Sequence, residues 1–173
     1  MRSIVIFLYM SNGNILLNRY AQPIRTATVA IFTPDMRRTL LVFNWKLMAF
    51  VPPWGKEDAK DKNSIHRTAR RETWEEVGID LSKTPWNWLG IRGNEIGSQK
   101  IIRRDYFEFE GNTYLDSLFF YKLTEEHQEI YRAERIGEWY SKRSLQTGAI
   151  RIDGRAYRML VPGTREAILA LLR

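Results

Sequence analysis

The chain contains no cysteine, which removes disulfides, thiolate nucleophiles, iron–sulfur clusters and cysteine zinc sites together. Histidine is nearly as scarce: only His66 and His127 occur, so an imidazole-rich metal site is excluded as well. Any metal must then sit among carboxylates and carbonyls, the ligands of hard cations such as Mg²⁺, Mn²⁺ or Ca²⁺. Long apolar runs are missing too. The stretch Ile4 to Met10 follows Met1-Arg2 but is too short for a membrane span. A turn at Ser11-Asn12-Gly13-Asn14 follows at once, with no small-residue cleavage site of the signal-peptide kind. These absences give the expectation of a soluble, cytoplasmic protein that meets no membrane. No repeat, low-complexity linker or composition break divides the chain, so residues 1–173 read as a single domain.

What is present fits a folded globule. The 173 residues are 44% hydrophobic and 13% aromatic, enough to bury a core. The net charge of +7 suits an anionic partner, a nucleotide, polyphosphate or nucleic acid, although a basic surface that merely keeps a protein soluble carries the same charge.

In chain order, Ser3 to Met10 and Ile15 to Arg19 read as a hairpin around Asn12-Gly13. This N-terminal hairpin is placed to extend the sheet or to serve a homodimer contact. Thr26 to Phe32 and Thr39 to Trp45 read as a second hairpin. Phe50 to Lys56 reads as a loop, because Pro52 and Pro53 cannot donate to a ladder. The spacing predicts a helix from Ile65 to Val77, capped by Asn63-Ser64 and stopped at Gly78. Strands follow at Trp86 to Ile91, Ile101 to Phe109, Thr113 to Leu123 and Ile136 to Tyr140. A closing helix runs from Arg165 to Leu172 with Thr164 as its cap. Strands, helix, strands, helix make an α+β sandwich around a mixed sheet.

The helix over 65–77 puts acids where a core stripe belongs. At about 100° per residue, Ile65, Thr68, Ala69, Glu72 and Glu76 share one face, with Glu75 at its edge. Ile65 and Ala69 face inward, so Glu72 and Glu76 do too. Like charges so placed are costly unless a cation compensates them. That arrangement points to a metal site; a solvated Arg/Glu helix face is the commoner fate of such charges.

Arg71-Glu72-Thr73-Trp74-Glu75-Glu76-Val77-Gly78-Ile79, preceded at a distance by Gly55, resembles the signature of the Nudix hydrolases. In that family a glycine is followed by five residues, a glutamate, seven residues, and then Arg-Glu-hydrophobic-x-Glu-Glu-x-Gly-hydrophobic. The likeness extends over about residues 24 to 145, including the Arg104-Asp105-Tyr106-Phe107 and Glu138-Trp139-Tyr140 segments. Two departures stand out. The spacing from Gly55 to Arg71 is two residues longer than the family's, and its first glutamate is replaced, since counting forward from Gly55 reaches Asp61 and counting back from Arg71 reaches Asn63. Thr73 also stands in for a larger apolar residue.

The resemblance implies an α/β/α sandwich with a mixed central sheet, a loop–helix–loop motif, and cleavage of a diphosphate linkage with Mg²⁺ or Mn²⁺ as cofactor. It makes Glu72, Glu75 and Glu76 the catalytic metal ligands, with the Gly55 carbonyl as an addition, and Arg71 their orienting partner. Lys56, Arg103 and Arg104 become candidates to meet phosphates, and Trp54, Tyr106, Trp45 and Phe50 to stack on a base, core packing being the plainer reading for all of these but Trp54. The general base stays open between a glutamate of the helix and Asp116, Glu125, Glu126, Glu129 or Glu134, each of the latter also readable as a surface acid.

Three functions compete. The first is a pyrophosphohydrolase acting on a nucleoside triphosphate, dinucleoside polyphosphate or nucleotide sugar. The second is a hydrolase of RNA 5′ ends: Pro53-Trp54-Gly55-Lys56 is similar to the Pro-Lys-Gly-Lys and Pro-Gln-Gly-Gly segments of the RNA-acting branches. The third is a non-catalytic Nudix domain that binds a nucleotide.

Overall fold

Period-2 alternation in the strands sorts the apolar residues onto two faces, and each face is roofed by a helix. The computed structural model describes residues 22–81, 103–109, 111–123, 137–147, 149–152, 155–159 and 162–173. Within them the strands are β1 (Ile24–Phe32), β2 (Arg38–Asn44), β3 (Ala49–Val51), β4 (Trp54–Lys56), β5 (Arg103–Phe109), β6 (Asn112–Lys122), β7 (Gly137–Ser141), β8 (Ala149–Ile152) and β9 (Arg155–Met159). The helices are α1 (Ile65–Val77), α2 (Lys142–Gln146) and α3 (Pro162–Leu171), with a 3-10 turn at Ala59–Asp61.

The long parallel pairing of β1 with β6, from Ile24↔Tyr114 to Phe32↔Lys122, is the spine of the mixed sheet. On its other edge β1 meets β4 at Thr26 to Thr28 and β2 at Ile31 and Phe32. Val42 of β2 pairs with both Val51 of β3 and Gly137 of β7, so β2 is flanked on both edges there. Ala27, Val29, Ile31, Leu40, Val42, Phe119 and Tyr121 point to one side and pack with Ile65, Ala69 and Val77 of α1. Ala30, Phe32, Leu41, Phe43, Leu118 and Phe120 point to the other and pack with Leu145 of α2 and Ile168 of α3. The result is the expected α/β/α sandwich. Burying each of these larger apolar side chains contributes about 1.5–3 kcal/mol, which is why the alternation holds its register.

Several boundaries differ from the sequence expectation. Phe50 to Lys56 is not a plain loop: the break falls at Pro52-Pro53, with β3 before it and β4 after it. Pro53 keeps its carbonyl, which accepts from the Val29 N–H at 2.9 Å, so the prolines interrupt the strand without leaving the sheet. The last helix starts at Pro162 and places Thr164 inside it, buried. Proline's fixed φ and missing N–H suit a first helical turn, so no threonine cap is needed. The β8–β9 hairpin and α2 were not anticipated. An Asp153-Gly154 turn between short Arg-containing alternations was the available signal. Residues 3–19, 86–91 and 101–102 lie outside the described residues, as does the expected start of β7 at residue 136. Among the described residues, no helix is long and apolar enough to cross a membrane.

Phe120 and Trp45 give a direct check of this packing. Phe120→Ala should cost about 3–5 kcal/mol in urea unfolding. Trp45→Ala, at a ring 66% exposed, should change stability by no more than about 0.5 kcal/mol.

Candidate metal and phosphate site

α1 forms where the sequence predicts. Its C-terminal stop is Gly78, at φ 69°, with its N–H on the Trp74 carbonyl. Only glycine takes that left-handed conformation without steric cost. The N-terminus is held differently from expectation. Ser64 occupies the cap position but makes no side-chain cap bond; its carbonyl accepts from the N–H groups of Arg67 and Thr68.

The loop before α1 contains the longer spacing. Asp58 and Asp61 cap the 3-10 turn reciprocally: Asp58 accepts from the Lys60 N–H, and the Asp58 N–H donates to Asp61 at 3.0 Å. Lys62 and Asn63 then take left-handed φ values of 51° and 58° in succession. These two residues turn the chain between the 3-10 turn and α1, and Asp61 lies beside α1, bonded to Thr68 and Arg71.

Arg71 is the hub of the site. Its Nε and Nη2 donate to the two carboxylate oxygens of Asp61 at 3.1 and 2.8 Å. Nη2 also donates to the Lys56 carbonyl at 2.8 Å. Nη1 donates to Glu72 at 2.7 Å and to Glu75 at 3.0 Å. The Arg71–Glu75 contact matches the expected one-turn pairing; the Asp61 pairing is the feature that sequence reasoning left open. The forward count from Gly55 was its available signal. Burial pushes the Asp61 carboxyl up, but bonds from Arg71, the Asp58 N–H and the Thr68 hydroxyl together hold it below the usual aspartate value. Arg71, bonded to Asp61 first of all, is held firmly protonated.

One guanidinium against Asp61, Glu72 and Glu75 leaves negative charge in surplus, which the exposed Lys60 ammonium, 4.0 Å from Glu75, offsets only in part. Burial raises the Glu72 carboxyl, with Glu75 and Asp61 adding to the rise against the opposing pull of Arg71. Glu76 is buried as well, and one of its oxygens accepts from the Trp54 N–H at 3.0 Å. Glu75 is the most accessible of these acids, its side chain 46% exposed. Gly55 faces the Glu72 carboxylate so closely that a Cβ there would fall inside it. A side chain at 55 would therefore have to displace the Glu72 carboxylate from the place it holds here.

This donor set fits a hard divalent cation: all carboxylate, with surplus negative charge, in a cradle that a Cβ would fill. Among the described residues, no acidic or histidine side chains are gathered tightly enough to hold an ion as they stand. Arg71 bridges Glu72 and Glu75, its Nη1 donating to one oxygen of each.

The substrate candidates separate into two places. Trp54 and Lys56 share β4 with Gly55, and both ring and ammonium lie against Tyr114: the Trp54 and Tyr114 ring centroids are 6.5 Å apart, and the Lys56 Nζ is 5.2 Å from the Tyr114 centroid. Arg103, Arg104 and Tyr106 lie on β5, with β6 and β1 between β5 and β4. Three strand spacings put the two groups' backbones about 14 Å apart. Phe50 is a core residue, and Trp45 is exposed with its ring against Phe43. Among the base candidates, Asp116 is tied to Thr26 and Thr28 on the sheet face away from α1. Glu125, Glu126, Glu129 and Glu134 lie outside the described residues.

No family model matches the sequence, and no curated protein matches it. Solved structures do. A NUDIX-family hydrolase from Clostridium perfringens is similar at TM-score 0.57 and 17% identity, covering 88% of this chain and 100% of that one. The fold is that of the Nudix hydrolases. The E. coli dihydroneopterin triphosphate pyrophosphohydrolase is similar at TM-score 0.61 and 16% identity, over 86% of this chain and 94% of that one. The C. elegans Ap4A hydrolase is similar at TM-score 0.52 and 15% identity, over 73% and 86%.

Asp61→Asn should cost about 1.5–3 kcal/mol, the scale of hydrogen bonds to charged groups. Because the Asp61 pKa is depressed on folding, its contribution is fully present above the ordinary value of 3.8. It is lost as pH falls through the lower folded value. Denaturation of wild type and Asp61→Asn at pH 7 and under acid conditions checks this: the gap should be full at pH 7 and shrink in acid.

Proposed function

We propose that the chain is a divalent-metal-dependent pyrophosphohydrolase that cleaves the diphosphate linkage of a nucleotide: a nucleoside triphosphate, dinucleoside polyphosphate or nucleotide sugar. The observation that carries this is the charge surplus of the α1 acids, packed on a glycine with no room for a Cβ, in a fold of the Nudix type. The described similarity to a triphosphate pyrophosphohydrolase and an Ap4A hydrolase supports phosphoanhydride cleavage.

Glu72, Glu75 and Glu76 would hold the Mg²⁺ or Mn²⁺, with the Gly55 carbonyl as the further candidate. The cation supplies charge neutralisation for the polyphosphate and Lewis-acid activation of water. The chain's own residues prepare that chemistry. Arg71 fixes the rotamers of Glu72 and Glu75 and ties α1 to the Lys56 carbonyl and to Asp61. Glu76 is fixed by the Trp54 N–H, which couples α1 to β4. The Lys56 ammonium, on the same strand and exposed, is placed to attract an anionic chain.

A product assay with Mg²⁺ or Mn²⁺ on nucleoside triphosphates, dinucleoside polyphosphates, nucleotide sugars and 5′-triphosphorylated or capped RNA tests the proposal. Glu72→Gln and Glu76→Gln should each lower kcat by more than about 100-fold, since even the outer partners of metal ligands cost about 10- to 100-fold. Arg71→Lys, which loses the planar fork, should cost about 10- to 100-fold. No turnover on any substrate, or Glu76→Gln matching wild type, would overturn the assignment.

A further inference from the structure

Two hairpin tips stand side by side at one end of the sheet. β2–β3 and β8–β9 are antiparallel hairpins, and β3 and β9 run parallel with Ala49 beside Arg158. Both hairpins therefore turn at the same end. β2, β3, β9 and β8 are consecutive strands, so three strand spacings, about 14 Å, span the two tips. The first tip is Trp45-Lys46-Leu47-Met48. Its backbone is held, because the Asn44 side chain accepts from the Lys46 and Leu47 N–H groups at 3.1 and 3.2 Å, and Leu47 packs on the core. This ordered turn nevertheless presents Trp45 at 66% exposure and Met48 at 54%, with Lys46 exposed between them. The Trp45 ring is braced edge-on against Phe43, their centroids 4.6 Å apart. At the turn end of the second hairpin stands Arg155, exposed, on a ribbon whose sequence also carries Arg151 and Arg158.

We propose that the two tips form a binding surface for single-stranded nucleic acid, with Trp45 as the stacking platform and Lys46 and Arg155 as phosphate contacts. Every base has a π-face, so an exposed indole offers stacking without choosing a sequence. A turn already fixed by Asn44 presents that indole with little ordering left to do on binding. The cations beside the ring select the occupant. A second copy docked through this patch about a two-fold axis sets a basic surface against an identical basic surface. A polyanion meets Lys46 and Arg155 with the opposite sign, and the net charge of +7 draws it in from a distance. A duplex keeps its base faces in its own stack and leaves Trp45 nothing to cover. A single strand offers both a free base and the neighbouring phosphates. None of these residues belongs to the acid cluster of α1, so the inference stands or falls apart from the proposed hydrolysis.

Fluorescence anisotropy of labelled oligonucleotides of about ten nucleotides, bound to the full chain without added metal, tests this. Single-stranded RNA or DNA should bind more tightly than the matching duplex, and the RNA and DNA arms show whether the sugar matters. Raising the salt from about 50 to about 200 mM should weaken binding about 7- to 50-fold, the effect of two to four phosphate contacts on a single strand. Trp45→Ala, whose exposed ring leaves the fold intact when removed, should weaken binding about 5- to 150-fold, the range for one lost stack. Trp74→Ala, at a ring 57% exposed on α1, should leave it unchanged. Lys46→Ala and Arg155→Ala should each lower the salt slope by about 0.7. Trp45→Ala binding as wild type does overturns the inference, as does a preference for duplex or no binding at low salt. Complete displacement of the strand by inorganic pyrophosphate assigns it to the α1 acids and also overturns it. Sedimentation without nucleic acid adds a further check: a dimer that Trp45→Ala dissociates gives the patch to a second copy instead. Binding to phosphatidylserine vesicles with none to oligonucleotides gives it to a lipid surface, and either result sinks the proposal.

Discussion

The site depends on one guanidinium. Arg71 is planar, permanently charged and forked, so it can satisfy the Asp61 carboxylate with two N–H groups and still turn a third nitrogen to Glu72 and Glu75. A lysine ammonium has the charge but not the geometry. The same side chain ties the helix to the backbone of β4 at Lys56. One residue therefore fixes helix against strand, orders two acids, and leaves the cluster short of positive charge. In the proposed function that shortage is what a divalent cation would fill; a fully neutralised cluster would stabilise the fold and attract nothing.

Around this hub, the loop from Gly55 to Ser64 solves a spacing problem. An acid has to reach Arg71 from the loop, but the chain between them is two residues longer than the family's signature. Lys62 and Asn63 turn the chain in left-handed conformations, which cost about 1–2 kcal/mol each for ordinary residues. The Asp58–Asp61 capping box and the buried Asp61–Arg71 pair offset that strain. Aspartate, one methylene shorter than glutamate, suffices because the 3-10 turn brings its backbone close to α1.

β4 is short, yet its two faces meet different surroundings. Through Gly55 and the Trp54 N–H it faces the acids of α1; through the Trp54 and Lys56 side chains it faces Tyr114 and the Asp116 row. Strand alternation makes this division unavoidable, since successive residues point to opposite faces. Pro52 and Pro53 keep β4 separate from β3, so it can pair with β1 while β3 pairs with β2.

The sequence by itself determined α1 to the residue. Helical periodicity, a serine before it and a glycine after it are local signals, and local signals depend only on neighbours in the chain. It also narrowed the metals that the proposed site could hold, because an absence of cysteine and near-absence of histidine needs no coordinates. The inward stripe of Glu72 and Glu76, with Glu75 at the edge, followed from the same periodicity. Tertiary structure decided what periodicity cannot express. That Asp61 takes up the Arg71 pairing accompanies two left-handed residues in succession; Asn63 favours that conformation, but nothing in Lys62 announces it. That Arg103, Arg104 and Tyr106 stand three strands from Trp54 and Lys56 depended on β6 and β1 lying between them. That Asp116 meets Thr26 and Thr28 depended on a parallel pairing between strands some ninety residues apart. Register across such a separation is set by the packing of both faces of the sheet at once, and no window along the chain contains it.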